Sequence, residues 1–250
     1  MPARVTLITG AAGDLGSAVA RRLAANGDSL VLLDQDTDRL TALEKDLSSA
    51  GTTVITATTD VTDEAAVAAV VERAVGELGR LDALFNNAGV SGGTYPIAEH
   101  PVEDFRRTVD INLTAMFIVL KYTLPVLARN EDGWVVNTAS EAGLKANERR
   151  GAYAASKAGV IQLSRACALE YSSQGVRVNT LCPGPLEGKL MRVSESGMDD
   201  PEAFRQKLAA ASAVGRYGDP DEVAGFVTYL LTDAPGYLTG ATLSADGCRR

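Results

Sequence analysis

Short apolar runs alternate along the chain with longer stretches in which Ala, Val and Leu recur at helical spacing. Arg4 to Thr9 is a β-rich run that stops at Gly10, and an Ala-rich helical pattern follows from Asp14 to about Asn26. Ser29 to Asp34 is a second apolar run that ends in an acid. A helical pattern over 37–49 then leads through Gly51 to a third strand over 53–59. Thr62 stands where a helix over 63–78 would take its N-cap, and Leu81 to Phe85 makes a fourth strand. After a loop over 90–102, residues 103–129 read as one long helix, Trp134 to Thr138 as a buried strand and 151–174 as a helix. Val176 to Cys182 is a further strand, closed by Pro183-Gly-Pro185. Residues 186–214 turn polar, Ala-rich and Met-containing, which predicts a mobile helical lid. Asp219-Pro220 opens a helix with acids in its first turn, and Gly240 to Ala245 is the last strand. Strand and helix alternate with no linker or repeat. The pattern predicts a single α/β domain over 1–250, doubly wound around a parallel sheet with helices on both faces.

Composition narrows the class. The 250 residues suffice for a sizeable core, and 46% apolar with 22% charged residues is ordinary for a soluble globular protein. The chain has no uninterrupted run of about 18 apolar residues, and Met1-Pro-Ala-Arg4 lacks the layout of a signal peptide, so a cytoplasmic protein with no membrane partner is expected. A formal net charge of −8 and a pI near 4.8 argue against nucleic acid as a partner. Cys167, Cys182 and Cys248 have no metal-ligand spacing and His100 is the only histidine, so neither a metal site nor a Ser-His-Asp triad is expected. His100, between Glu99 and Pro101, is expected to be a solvated loop residue.

The candidate chemistry lies where the predicted strands end. Gly10, Gly13 and Gly16 follow the first strand and open a helix, the layout in which a helix N-terminus meets a phosphate. Asp34 ends the next strand about 20 residues on, where an acid accepts hydrogen bonds from adenosine ribose hydroxyls and repels a 2′-phosphate. That favours NAD over NADP. Asn86-Asn87-Ala88-Gly89 makes a polar bend at a strand's carboxyl end, where open α/β sheets bind ligands. Asn112, inside a helical stretch, costs helix propensity and so suggests a side-chain role. Tyr153 and Lys157, four apart on a helix, set a phenol beside an ammonium, and Ser140 follows a buried strand. A phenol is a poor base at neutral pH, but a cation one turn away favours its ionised form.

Taken in order, Thr9-Gly-Ala-Ala-Gly-Asp-Leu-Gly16, Asp60-Val61, Asn86-Asn-Ala-Gly89, Asn112, Ser140, Tyr153-Ala-Ala-Ser-Lys157, Asn179 and Pro183-Gly184 resemble the motifs of a short-chain dehydrogenase/reductase, nearly end to end. The resemblance implies a Rossmann fold, a homotetramer and an NAD-dependent oxidoreductase that interconverts a small-molecule secondary alcohol and a ketone. It implies that Tyr153 is the general acid/base, that Lys157 lowers its pKa and holds the nicotinamide ribose, that Ser140 orients the substrate oxygen, and that Asn112 places a water in a proton relay. Asp60 and Val61 would border the adenine, Asn87 the adenosine end and Leu15 the pyrophosphate. Pro183, Gly184 and Leu186 would hold the carboxamide side.

Three positions depart from that pattern. Asp14 stands where the family's middle glycine falls, which sets a carboxylate beside the expected pyrophosphate and further disfavours a 2′-phosphate. Gly188 replaces an expected Thr, removing one hydrogen bond to the cofactor, and Asp246-Gly-Cys248 replaces the usual Asp-Gly-Gly. An NADPH-dependent 3-oxoacyl thioester reductase is the rival on the same scaffold, opposed by Asp34 and by the lack of a cation at position 13. A non-catalytic dinucleotide-binding regulator is opposed by the presence of Ser140, Tyr153 and Lys157. Lys145, Arg149 and Arg150 precede Tyr153, and are expected to be solvated or at a subunit contact rather than to meet an anionic substrate.

Overall fold

The structure is a computed structural model that describes residues 3–130 and 132–249. Its strands are β1 (Val5–Thr9), β2 (Ser29–Asp34), β3 (Val54–Thr58), β4 (Ala83–Asn86), β5 (Gly133–Thr138), β6 (Val176–Pro183) and β7 (Thr242–Ala245). All pair in parallel, in the order β3-β2-β1-β4-β5-β6-β7. The helices between them are α1 (Asp14–Ala25), α2 (Thr37–Ser49), α3 (Glu64–Leu78), α4 (Val102–Val109), α5 (Ala115–Ala128), α6 (Gly151–Tyr171), α7 (Lys189–Ser196), α8 (Pro201–Ala211) and α9 (Pro220–Thr232).

Strand side chains point alternately to opposite faces, and each face is covered by helices, so the strands are apolar on both sides. Leu7, Val31, Leu33, Leu84, Val135 and Val178 face one core with α3, α5 and α6. Ile8, Leu30, Leu32, Phe85, Val136 and Leu181 face the other with α1, α2 and α9. The two cores explain why the sheet reads in sequence as continuous apolar runs.

Several predicted details change. The N-cap of α3 is Asp63, whose side chain accepts from Ala66 N, while Thr62 gives both its backbone N–H and its hydroxyl to Asp60. The long helix is continuous over 102–128 but carries a π-helical turn at Asp110–Thr114. By length and composition it is apolar enough to cross a bilayer, yet half of its most apolar window is buried here, where Ala115, Met116, Val119 and Leu120 join the core. Helix α6 ends at Tyr171 in a 3-10 turn, and the segment over 186–214, expected to be a lid, holds the two helices α7 and α8. His100 is not solvated: its side chain is only 5% exposed, it bonds Asp104 at 2.9 Å and it packs between Tyr95 and Phe105. Asp104 also accepts from Gly93 N, so this cluster organises the loop before α4.

Candidate active site

The chain winds outward from β1 through β2 to β3, then returns to place β4 on the other side of β1, and the reversal opens a crevice at the strands' carboxyl ends. Thr9 ties its two walls together. The Thr9 hydroxyl donates to Asn86 Oδ1 at 3.2 Å and accepts from the backbone N–H of Asn87 and Ala88 at 2.9 and 3.1 Å. Asn87 Nδ2 donates to Gly10 O, and its Oδ1 accepts from Thr138. One hydroxyl thus fixes the bend after β4 against the glycine turn after β1.

That turn needs its glycines. Gly10 has φ +64°, and a Cβ on Gly16 would stand 2.1 Å from the Gly10 carbonyl oxygen. Gly13, the N-cap of α1, offers no side-chain acceptor, so the first amides of the helix are left for a ligand. Leu15 is buried beneath them, and Asp14 accepts from Lys189 N and pairs with Arg39. Asp34 Oδ2 accepts from Ala12 N and Oδ1 from Asp36 N, each at 2.9 Å. Those bonds hold its carboxylate at the rim with lone pairs left for hydroxyl donors. The glycine cradle, the uncapped helix and the anchored acid fit a dinucleotide whose ribose carries free hydroxyls.

Asp60 and Val61 follow β3. The backbone and hydroxyl bonds from Thr62 keep the Asp60 carboxyl below its ordinary range, and Val61 is buried. A cleft of about 600 Å³ opens beyond Asp60 against Arg106, Arg107 and Asp110, and Asp60 is its one link to the crevice residues. At the other end, Gly184 N donates to Ala245 O, and Pro185 O and Glu187 N both bond Gly218. Leu186 bridges to the same residue, so Pro183, Gly184 and Leu186 follow a fixed path at the end of β6. A Cβ on Gly184 would stand 2.9 Å from Asp246 Cα, which is where the altered Asp246-Gly-Cys248 segment meets the site.

Asn112 sits in the π turn, and the extra residue there turns its side chain onto the strand-end loop. Its Oδ1 accepts from Val90 N at 2.8 Å, and its Nδ2 donates to Val90 O at 3.0 Å and Ser156 Oγ at 3.2 Å. Gly89 makes room between Asn112 and Lys157: a Cβ there would be 3.0 Å from Asn112 Oδ1 and 3.3 Å from Lys157 Nζ. Lys157 is buried, donates to Thr138 O at 2.9 Å, and burial lowers its pKa to about 8. Ser140 follows β5 at the start of a 3-10 turn, with its hydroxyl accepting from Ala142 N. Asn112, Ser140, Tyr153 and Lys157 therefore meet at the edge of the glycine crevice.

Burial raises the pKa of Tyr153, opposed by a hydrogen bond from Ser140 and then by the charge of Arg150. The guanidinium carbon of Arg150 lies 4.8 Å from the Tyr153 ring centroid, whereas Lys157 Nζ is 5.9 Å away and bonded elsewhere. Arg150, expected to be solvated or at a subunit contact, is half-buried within this chain. Its guanidinium lies nearer the Tyr153 ring centre than the Lys157 ammonium does, and its own pKa is lowered by burial. The signal in the sequence was its place three residues before Tyr153, at the N-cap of α6. Lys145 and Arg149 are exposed as expected. Among the described residues, no group of three His, Cys, Asp or Glu side chains is set to hold a metal ion.

Comparison with known proteins finds relatives over nearly the whole chain. The family described as enoyl-(acyl carrier protein) reductase matches residues 10–248. Levodione reductase of Leifsonia aquatica is 35% identical over 98% of this chain and 93% of its own. Cis-4-hydroxycyclohexanecarboxylate dehydrogenase of Sinomonas cyclohexanicum is 36% identical over 98% of this chain and 95% of its own. The crystal structure of an NAD+-bound xylitol dehydrogenase superposes with a TM-score of 0.92 at 35% identity, covering 97% of each chain.

Proposed function

The chain belongs to the short-chain dehydrogenase/reductase family, and from that premise we propose that it is an NAD-dependent oxidoreductase interconverting a secondary alcohol and a ketone. The observation that carries the reading is the meeting of Ser140, Tyr153, Lys157 and Asn112 beside a crevice whose glycines, uncapped helix and Asp34 suit a dinucleotide. Bound NAD supplies the acceptor, and its reduced form the donor, of the hydride.

The chain's own residues handle the proton. Ser140 donates a hydrogen bond to the substrate oxygen and holds it within reach of the Tyr153 hydroxyl. When a ketone is reduced, Tyr153 gives its proton to the developing alkoxide; when an alcohol is oxidised, the phenolate takes that proton. Arg150 and Ser140 stabilise the phenolate against the penalty of burial. Lys157 and Asn112, on either side of Gly89, return the proton to solvent and keep that end of the site ordered. Reduction of the ketone consumes a proton and oxidation of the alcohol releases one, so oxidation gains as the pH rises.

Ring-borne secondary alcohols, the kind named in the cyclohexanecarboxylate relative, are the first substrates to screen. The protein acts as a homotetramer, a reading supported by the exposed Phe117 and Leu169 on α5 and α6, and the cytoplasm is its proposed place; sedimentation as a monomer would overturn the assembly. The mechanism is tested with Tyr153→Phe. This variant is expected to bind NADH as the parent does and to lose turnover by about a thousandfold or more. Substantial residual turnover would assign the proton to another group.

A further inference from the structure

Two of the departures in the sequence lie 174 positions apart and touch in the fold. Asp14 opens α1 on the glycine turn, and Gly188 is the residue before α7, the first helix of the lid. Asp14 Oδ2 accepts from the backbone N–H of Lys189 at 2.6 Å. A Cβ on Gly188 would fall 2.3 Å from that same oxygen, and Gly188 holds φ +148°, a conformation that side chains resist. Position 188 has room for no side chain because the Asp14 carboxylate fills the place one would take.

The other oxygen of Asp14 pairs with Arg39 at 3.2 Å. Arg39 lines a cavity of about 340 Å³ with Ala12, Ser17 and Arg21, next to the Ala12 amide that Asp34 holds. That cavity has two guanidinium groups on its wall, and both are engaged by carboxylates, Arg39 by Asp14 and Arg21 by Asp46. Lys189 also reaches Asp36, the N-cap of α2, at 3.5 Å. The openings of α1, α2 and α7 are thus tied together around one carboxylate.

Building on the NAD reading above, we propose that Asp14 is a positioning and specificity residue that fastens the lid to the phosphate turn and withholds Arg39 from a 2′-phosphate. Gly188 is its steric partner, so the two departures form one device. Asp34 repels a phosphate directly, while Asp14 removes the cation that would offset the repulsion. Discrimination against NADP thus rests on two acids with separate roles.

The test uses the parent, Asp14→Asn, Asp14→Gly, Gly188→Thr and the Asp14→Gly/Gly188→Thr double variant. Limited proteolysis without nucleotide reads the lid, and nicotinamide fluorescence gives Kd for NADH and NADPH. Asp14→Asn keeps an acceptor for Lys189 N but loses its charge. It is expected to leave lid cleavage unchanged and to lower the Kd ratio of NADPH to NADH by about tenfold, as loss of one charge-assisted bond to Arg39 allows. Asp14→Gly should lower that ratio and also speed lid cleavage. Gly188→Thr should speed cleavage in the parent background and speed it less once Asp14 is gone, the part that remains being the backbone strain of a side chain at φ +148°. Additive effects of the two substitutions, or an unchanged nucleotide ratio in both Asp14 variants, would overturn the proposal. If the parent bound neither nucleotide, the NAD reading and the specificity role would fall together, while cleavage in the four variants would still decide the latch.

Discussion

At the residue scale the site depends on charges kept out of water. Lys157 carries a proton in the core with only a backbone carbonyl as its hydrogen-bond acceptor, and its lowered pKa measures the cost. Between pH 8 and 10.5 the unfolded chain holds that proton more firmly than the folded one, so this group adds stability as the pH rises through that window. Lys157→Met should therefore abolish turnover yet melt no lower than the parent at pH 7, with its advantage shrinking as the pH approaches 10.5. Melting curves across pH test this, and a parent more stable at pH 7 would mean the ammonium is better compensated than its contacts indicate. Tyr153, Lys157, Ser140 and Asp34 stand out in the sequence as candidates because each lies at a strand end or a fixed helical interval. The sequence alone does not place Arg150 against its own chain, since a residue at a helix N-cap is usually solvated, and only packing shows that its guanidinium lies over the Tyr153 ring. His100 is buried against expectation because its aromatic neighbours are brought to it by the loop's path, which the sequence does not show.

At the element scale, local chemistry set most boundaries. The bounds of β2 and α2 are those expected, because Asp34 ends an apolar run and Asp36 caps the next helix by accepting from Arg39 N. Thr62 and Asp63 are both good caps, and the side chain of Asp60 decides between them by engaging Thr62. The π turn at Asp110–Thr114 is not read from the apolar pattern, although Asn112 within it stands out as a residue that disfavours a helix interior. The junction of β1 and α1 is the tightest of these elements. A methyl at position 16 would meet the Gly10 carbonyl, which belongs to the backbone and cannot rotate away. Gly16→Ala should cost about 1–3 kcal/mol of stability, lower the melting temperature by several degrees and weaken NADH binding by displacing α1. Unaltered melting and binding would show that the junction can relax.

At the scale of the whole molecule, the alternation of strands and helices was enough to give a doubly wound sheet, and the reversal of strand order between β1 and β4 then places the crevice. Contacts between distant parts of the chain were not legible. Asp14 and Gly188 appeared in the sequence as two separate losses, and the fold makes them a single contact. On the proposed function, the crevice, the proton-transfer group and the lid serve one reaction, the passage of a hydride between a carbinol carbon and NAD. The most direct test is incubation with NAD and a ring alcohol deuterated at the carbinol carbon. The label is expected in the nicotinamide ring of the NADH formed, in equal amount to the ketone and with none lost to solvent. NADH without the label, or deuterium released to water, would contradict direct hydride transfer at this site.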